Sequence, residues 1–245
     1  MSTDRIVSVI MPIYNEAKYI DKTLKTVVGF CDRNPNYHFL LINDGSTDST
    51  QSIIDTRLKL TSSKNITCLS YAPNRGKGYA VKTGVEYANG HYICYIDSDL
   101  AYSLDNLELI VKQLEHLDVV MGCRSQNKNN IKKISLLRKI AGQTFNYLAR
   151  FILNLPFTDT QAGIKGFRNS VAKDLFKRLS ITGFSFDVEL IYIAWKKNYR
   201  IGEIPVLVLD SHLSKKSKVN IIQDSLKMLL NLLEIRYNDK LGKYE

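Results

Sequence analysis

His91-Tyr92-Ile93-Cys94-Tyr95-Ile96-Asp97-Ser98-Asp99 joins an apolar run of strand length to two carboxylates with nothing basic beside them. The run 92–96 reads as a buried strand, because a short apolar stretch rich in aromatic and β-branched residues suits a strand covered on both faces. Side chains two apart on extended chain point the same way. Asp97 and Asp99 therefore repel unless something positive sits between them, and a divalent cation bound through oxygen is the simplest such group. The carboxyl end of a strand in an open sheet is also where α/β folds hold ligands. A solvated turn with two aspartates is the plain alternative, and the pair alone does not choose.

Hydrophobic patterning on either side of this run alternates between strand and helix. Strands are expected at 6–11, 38–42, 66–70, 92–96 and 118–122, with helices at 16–30, 48–60, 78–88 and 104–114. Strands alternating with helices imply βαβ units and a mostly parallel central sheet with helices on both faces, an α/β fold. In the second half a polar loop is expected at 126–133, then a long helix at 133–155 ended by Pro156, a strand at 162–167, and helices at 171–179 and 187–197. Pro205 puts the strand 200–209 at a sheet edge or a bulge, and an amphipathic helix over 219–236 closes the chain. With no repeat or linker visible, one domain is expected over 1–245.

The 245 residues are 44% hydrophobic and 24% charged, the balance of an ordinary globule, and their net charge of +10 favours anionic partners. Cys31, Cys68, Cys94 and Cys123 form no CxxC pair, which argues for reduced thiols in a cytosolic setting and against zinc. The opening MSTDRIVSVIMPIYNE carries an acid before a short strand-like run, unlike a signal peptide. No apolar tract has the length of a membrane span, so any membrane contact is expected to be peripheral.

Successive strand ends carry polar groups. Strand one runs into Pro12-Ile13-Tyr14-Asn15-Glu16, where Asn15 reads as a helix cap and Glu16 as a first-turn acid. Strand two runs into Asn43-Asp44-Gly45-Ser46-Thr47-Asp48, an Asx turn with Thr47 as cap. Strand three runs into Asn74-Arg75-Gly76-Lys77-Gly78, a cationic lip suited to a phosphate. It lacks the spacing of a nucleotide-hydrolase loop, and no GxGxxG follows strand one. Each segment has a sufficient structural reading alone. Together an acid, a Gly-Lys lip and an acid pair describe a rim that holds a nucleotide diphosphate through a divalent cation.

This combination resembles the family 2 glycosyltransferases of GT-A fold. The resemblance continues through Gly122-Cys123-Arg124, the segment Asp159-Thr160-Gln161-Ala162-Gly163-Ile164-Lys165-Gly166-Phe167-Arg168, and Phe184-Ser185-Phe186-Asp187-Val188-Glu189. These segments are similar to those of polyprenyl-phosphate hexosyltransferases, and closer to the dolichyl-phosphate β-glucosyltransferases than to the mannosyl enzymes. Where mannosyl enzymes carry a further metal-binding Gln, this chain has Ala101.

The resemblance implies inverting transfer of a hexose from a nucleotide-sugar, UDP-glucose being favoured, to a polyprenyl or dolichyl monophosphate. GDP-mannose as donor, or a soluble or polysaccharide acceptor, are the alternatives; a basic nucleic-acid binder is the distant one, and no such signature is present. Residues 1–123 would bind the nucleotide-sugar and 124–245 the acceptor. Pro12, Tyr14, Asn15 and Glu16 would wall the base, and Asp44 would bind the base or ribose region. Asp99 would be the direct ligand of Mg²⁺ or Mn²⁺, and Asp97 would hold ribose or a metal-bound water. Lys77 would lie near the diphosphate. Arg124, Lys165, Lys216 and Lys218 would neutralise phosphates, while Asp187, a candidate assisting base, and Glu189 would line the acceptor side. Gly45, Arg75, Gly76, Ser98, Gln161 and Gly163 are further substrate-binding positions of the same motifs. The implied location is peripheral, on the cytosolic face of a membrane. Of the two amphipathic helices, the 133–155 helix is expected to face the bilayer and the closing helix to pack on the core.

Overall fold

A computed structural model describes residues 5–61, 63–124, 136–183, 185–209 and 221–245. Among these, seven strands form one sheet: β1 Val7–Ile13, β2 Tyr37–Asp44, β3 Ile66–Tyr71, β4 Tyr92–Ile96, β5 Val119–Cys123, β6 Ile164–Arg168 and β7 Ile201–Pro205, in the order β3-β2-β1-β4-β6-β5-β7. The pairs β1–β2, β2–β3, β1–β4 and β5–β7 are parallel, whereas β6 runs antiparallel to both β4 and β5. β6 comes from the second half of the chain and lies between two strands of the first, so a single sheet spans both. Pro205 sits on β7, at the sheet edge, where a missing N–H breaks no interior ladder.

Helices α1 Ile20–Arg33, α2 Thr50–Leu60 and α4 Asn106–Leu114 cover one face. Helices α3 Lys77–Tyr87, α5 Leu136–Leu153, α6 Asn169–Arg178, α7 Phe186–Lys196 and α8 Ile221–Lys240 cover the other. Strand alternation supplies both cores. Val7, Val9, Met11 and Ile13 pack with α1, while Ile10 between them packs with α3. The four cysteines are free thiols, and all but Cys68 are buried.

Two helix starts differ from the sequence reading. Asn15 does not cap α1, which begins only at Ile20. It adopts φ +51°, and its Oδ1 instead accepts from Thr47 N at 2.8 Å. Thr47 does not cap α2 either; Asp48 Oδ1 accepts from Thr50 N at 3.0 Å. The side chains that could have capped their own helices sew two neighbouring loops together, with Asn15 N donating to Ser46 Oγ and Glu16 N to Thr50 Oγ1. Periodicity sees the local option for such residues and cannot see the tertiary one.

The two amphipathic helices each pack one face on the core and leave apolar side chains exposed on another. On α5, Phe145, Leu148 and Ile152 pack into the core, and Tyr147 and Phe151 stand exposed. On α8, which packs against α5, Leu232 and Ile235 are buried, whereas Leu226, Leu230 and Leu233 are more than half exposed. Both helices are apolar on more than one face, so the 3.6-residue period does not say which face turns inward.

Candidate active site

Register brings the sequence-predicted segments to one edge of the sheet. Pro12 pairs with Ile42, and Ile10 with Tyr95, so segments 12–16, 44–50 and 97–100 leave β1, β2 and β4 side by side. β6 enters from the opposite direction. Ile164 pairs with Ile96, and Gly163 lies beside Asp97, its carbonyl accepting from Asp97 N at 3.0 Å. A Cβ at Gly163 would fall 1.9 Å from Asp97 Oδ2, so only glycine fits beside that carboxylate. Leu100 then turns the chain away in the left-handed region at φ +48°, a conformation that costs a residue with a Cβ about 1–2 kcal/mol.

Asp44 is expected to meet the nucleotide. It is instead buried and committed to the protein: Oδ1 accepts from Arg75 N at 2.8 Å, and Oδ2 from Gly76 N at 2.9 Å and Asn74 Nδ2 at 2.7 Å. A carboxylate from β2 thus occupies the amide-rich start of α3, where a helix favours an anion. The lip is held in place rather than mobile, and Lys77, the first residue of α3, is what it presents. The Arg75 guanidinium lies 3.5 Å from the centroid of the Tyr79 ring.

Lys77 Nζ lies 2.7 Å from Asp97 Oδ1 and 3.7 Å from Asp187 Oδ2. Burial works against its charge, but Asp97 and Asp187 outweigh burial and raise Lys77 above the ordinary lysine value. Burial also lifts the Asp97 carboxyl, which Lys77 opposes and the like charge of Asp99 reinforces. Behind this pair lies a second, deeper one. Lys165, fully buried and expected to meet a phosphate, donates to Asp187 Oδ1 at 2.6 Å and to Ala162 O at 2.8 Å. Tyr95 also donates to Asp187 Oδ1. Tyr95 and Lys165 are opposite partners in the β4–β6 ladder, so their side chains share a face and converge on α7. Sequence reasoning missed Tyr95, because only the register places it against Lys165.

Of the remaining candidates, Arg124 stays close enough to feel the charge of Asp187, while the others are dispersed. Arg124 Nε and Nη2 donate to Asp159 at 2.8 and 2.7 Å, an interaction that outweighs burial and lowers the Asp159 carboxyl below its ordinary value. Gln161 is half-buried in the turn before β6. Ser98 is buried, its carbonyl accepting from Thr23 Oγ1 at 2.9 Å. Tyr14 is exposed, whereas Pro12 is buried within β1. Glu189, expected beside the acceptor, faces away toward Ser180 and Tyr244. Lys216 and Lys218 lie outside the described residues.

The donor set fits a hard cation. Asp97 and Asp99 offer carboxylate oxygens at one strand end, raised in energy by mutual repulsion. Among the described residues no three His, Cys, Asp or Glu side chains form a group that could hold a metal ion by themselves. Two carboxylates completed by phosphate oxygens is the arrangement Mg²⁺ uses in phosphate-handling sites.

A mixed sheet with helices on both faces is the fold of the GT-A glycosyltransferases, and solved structures share that fold. Glucosyl-3-phosphoglycerate synthase from Mycobacterium tuberculosis, crystallised with Mn²⁺, UDP-glucose and phosphoglyceric acid, superposes with a TM-score of 0.66 at 15% identity over 95% of this chain and 80% of that one. A mannosyltransferase from Pyrobaculum calidifontis in complex with GDP-Man and Mn²⁺ gives 0.59 at 21% identity over 82% and 55%. The dolichyl-phosphate β-glucosyltransferase of Dictyostelium discoideum is 32% identical, over 96% of this chain and 75% of the relative. The family model for glycosyl transferase family 2 matches residues 8–176, and the chain belongs to that family.

Gly163→Ala follows as a test of the geometry. The added methyl must move the Asp97 carboxylate, and a displacement near 1 Å can cost about 10²-fold in turnover. Glycosyl transfer is expected to fall by that order while the thermal midpoint moves only a few degrees. Turnover within twofold of the parent would mean that Asp97 need not stay where it is.

Proposed function

We propose that this enzyme transfers glucose from UDP-glucose to a polyprenyl or dolichyl monophosphate, with inversion, at the cytosolic face of a membrane. The observation that carries this reading is the position of Lys77: one protonated ammonium between the Asp97–Asp99 pair and the buried Asp187. Residues 1–123 carry the donor contacts and 124–245 the acceptor contacts, the two meeting where β6 lies against β4. The name of the Dictyostelium relative supports the acceptor and sugar, and the Mn²⁺ complexes of the structural neighbours support the cation.

Asp99 and Asp97 would hold Mg²⁺ or Mn²⁺, which when bound supplies Lewis-acid stabilisation of the leaving diphosphate. Lys77, already protonated, would add a positive charge on the same side by turning from Asp97 toward the diphosphate as negative charge develops there. The acceptor phosphate is an anion at neutral pH and needs alignment rather than a strong base. Asp187, surrounded by Lys165, Tyr95 and Lys77, serves to fix the lysine. The exposed Leu226, Leu230 and Leu233 on α8 with Tyr147 and Phe151 on α5 offer the apolar surface that a lipid acceptor requires, and basic side chains such as Lys227 and Arg236 suit anionic headgroups. Among the described residues no helix is long and apolar enough to cross a membrane.

The test is product partitioning. Labelled UDP-glucose, Mn²⁺ and dolichyl phosphate are expected to move label into the organic phase, and GDP-mannose to do so at least about tenfold more slowly. Faster transfer from GDP-mannose would reverse the sugar assignment, and label confined to water would remove the lipid acceptor. Sedimentation with anionic vesicles at low salt should carry the protein down; protein left in solution counts against the membrane surface.

A further inference from the structure

We propose that Glu189 and Tyr244 are positioning residues for Lys77: they hold residues 180–183 beneath the 76–78 lip and so fix where the lysine stands. The inference rests on the reading that Lys77 meets the diphosphate.

Glu189 is fully buried on α7, a helix whose residues from Phe186 to Ala194 are all buried. A carboxylate there is tolerable only if its oxygens are saturated. Four donors do this. Ile181 N lies 2.7 Å from Oε2, Ser180 N 3.1 Å from Oε2, and Tyr244 OH 2.7 Å from Oε1, with Ser180 Oγ also donating to Oε1. Tyr244 is itself fully buried, about 55 positions along the chain from Glu189. Burial first, and then the Glu189 carboxylate, raise its phenol well above the ordinary value, so it keeps the proton it donates. Asn238 Nδ2 adds a bond to Ser180 Oγ at 3.1 Å.

The segment so held is what the lip rests on. Thr182 O accepts from Gly78 N at 2.7 Å. A Cβ at Gly76 would meet Thr182 O at 2.6 Å, and one at Gly78 would meet Ile181 O at 2.9 Å. Lys77 lies between two glycines pressed against 181–182, and Asp44 holds the lip from the other side. The backbone from which its side chain projects can shift only if that segment shifts. Glu189 thus acts from the side of α7 facing away from Asp187, through backbone rather than through charge.

A double-mutant cycle reads this out, with UDP plus Mn²⁺ and GDP plus Mn²⁺ as probes and binding measured by calorimetry. Tyr244→Phe removes one hydrogen-bond donor and is expected to weaken binding of the preferred nucleotide about three- to tenfold. In a Lys77→Ala background the same change is expected to do nothing beyond about 1.5-fold, because the group it positions is gone. Equal losses in both backgrounds, or no loss in either, would overturn the inference while leaving the diphosphate reading intact. If Lys77→Ala binds as tightly as the parent, the reading itself fails and takes the inference with it. Glu189→Gln, which keeps the size and part of the bonding, replaces Tyr244→Phe if that variant does not fold, with the same expectations.

Discussion

Asp187→Ala is expected to lower unfolding free energy by about 3–5 kcal/mol and to abolish turnover. Asp187 is the partner of Lys165, whose ammonium is fully buried at 2.6 Å, and it also accepts from Tyr95. Burial already lowers Lys165 from the ordinary lysine value, with Asp187 opposing. Without that carboxylate the lysine must either stay charged in an apolar interior or release its proton, and both cost stability. Replacing the pair together, as Lys165→Met with Asp187→Leu, is expected to return only part of the stability, because an apolar pair avoids the desolvation cost but leaves the buried Tyr95 hydroxyl without its acceptor. Turnover should not return, since Lys77 loses one of its two carboxylates. Urea unfolding of the three proteins checks this. A loss below about 1 kcal/mol for Asp187→Ala would show that the pair is open to water.

Asp99→Ala is expected to act the opposite way. Asp99 is half-exposed, and removing it relieves repulsion on Asp97 while giving up the 3.0 Å bond from Ala101 N, so the thermal midpoint should move little. Metal-dependent turnover should fall about 10³-fold, since several kcal/mol of charge stabilisation on the leaving diphosphate goes with the cation. Initial rates against Mn²⁺ concentration measure it. A variant with parental rates at saturating Mn²⁺ would remove Asp99 from the metal's coordination. The two substitutions separate two jobs at one rim: Asp187 holds the protein together around Lys77, and Asp99 serves the ligand.

The fold was readable because its signals are local. β4 carries the bounds expected for it, and Pro205 falls on an edge strand as its missing N–H requires. The antiparallel insertion of β6 was not readable, since a five-residue apolar strand looks the same in either direction. The site was readable as a set of strand ends, because acids and glycines after apolar runs are local patterns. What each residue does there was less so. Asp44 shows the limit: its chemistry suits a ribose as well as three protein donors, and only the position of residues 74–76 decides. Lys165 and Glu189 show it again, since a charged residue in a motif reads as ligand-facing until burial is known. Tyr95 carried no signal beyond its place in an apolar run, and Tyr244 none at all, because the contact it makes joins distant parts of the chain.

The central claim is that a cation at Asp97 and Asp99, with Lys77 alongside, holds the diphosphate of a sugar nucleotide. A crystal grown with UDP and Mn²⁺ tests it most directly through the anomalous signal of manganese. Manganese within coordination distance of Asp99 and of a diphosphate oxygen, with Lys77 Nζ in reach of the same diphosphate, is the result expected. UDP bound with manganese elsewhere, or with Lys77 still closed on Asp97 and remote from the phosphates, would contradict it.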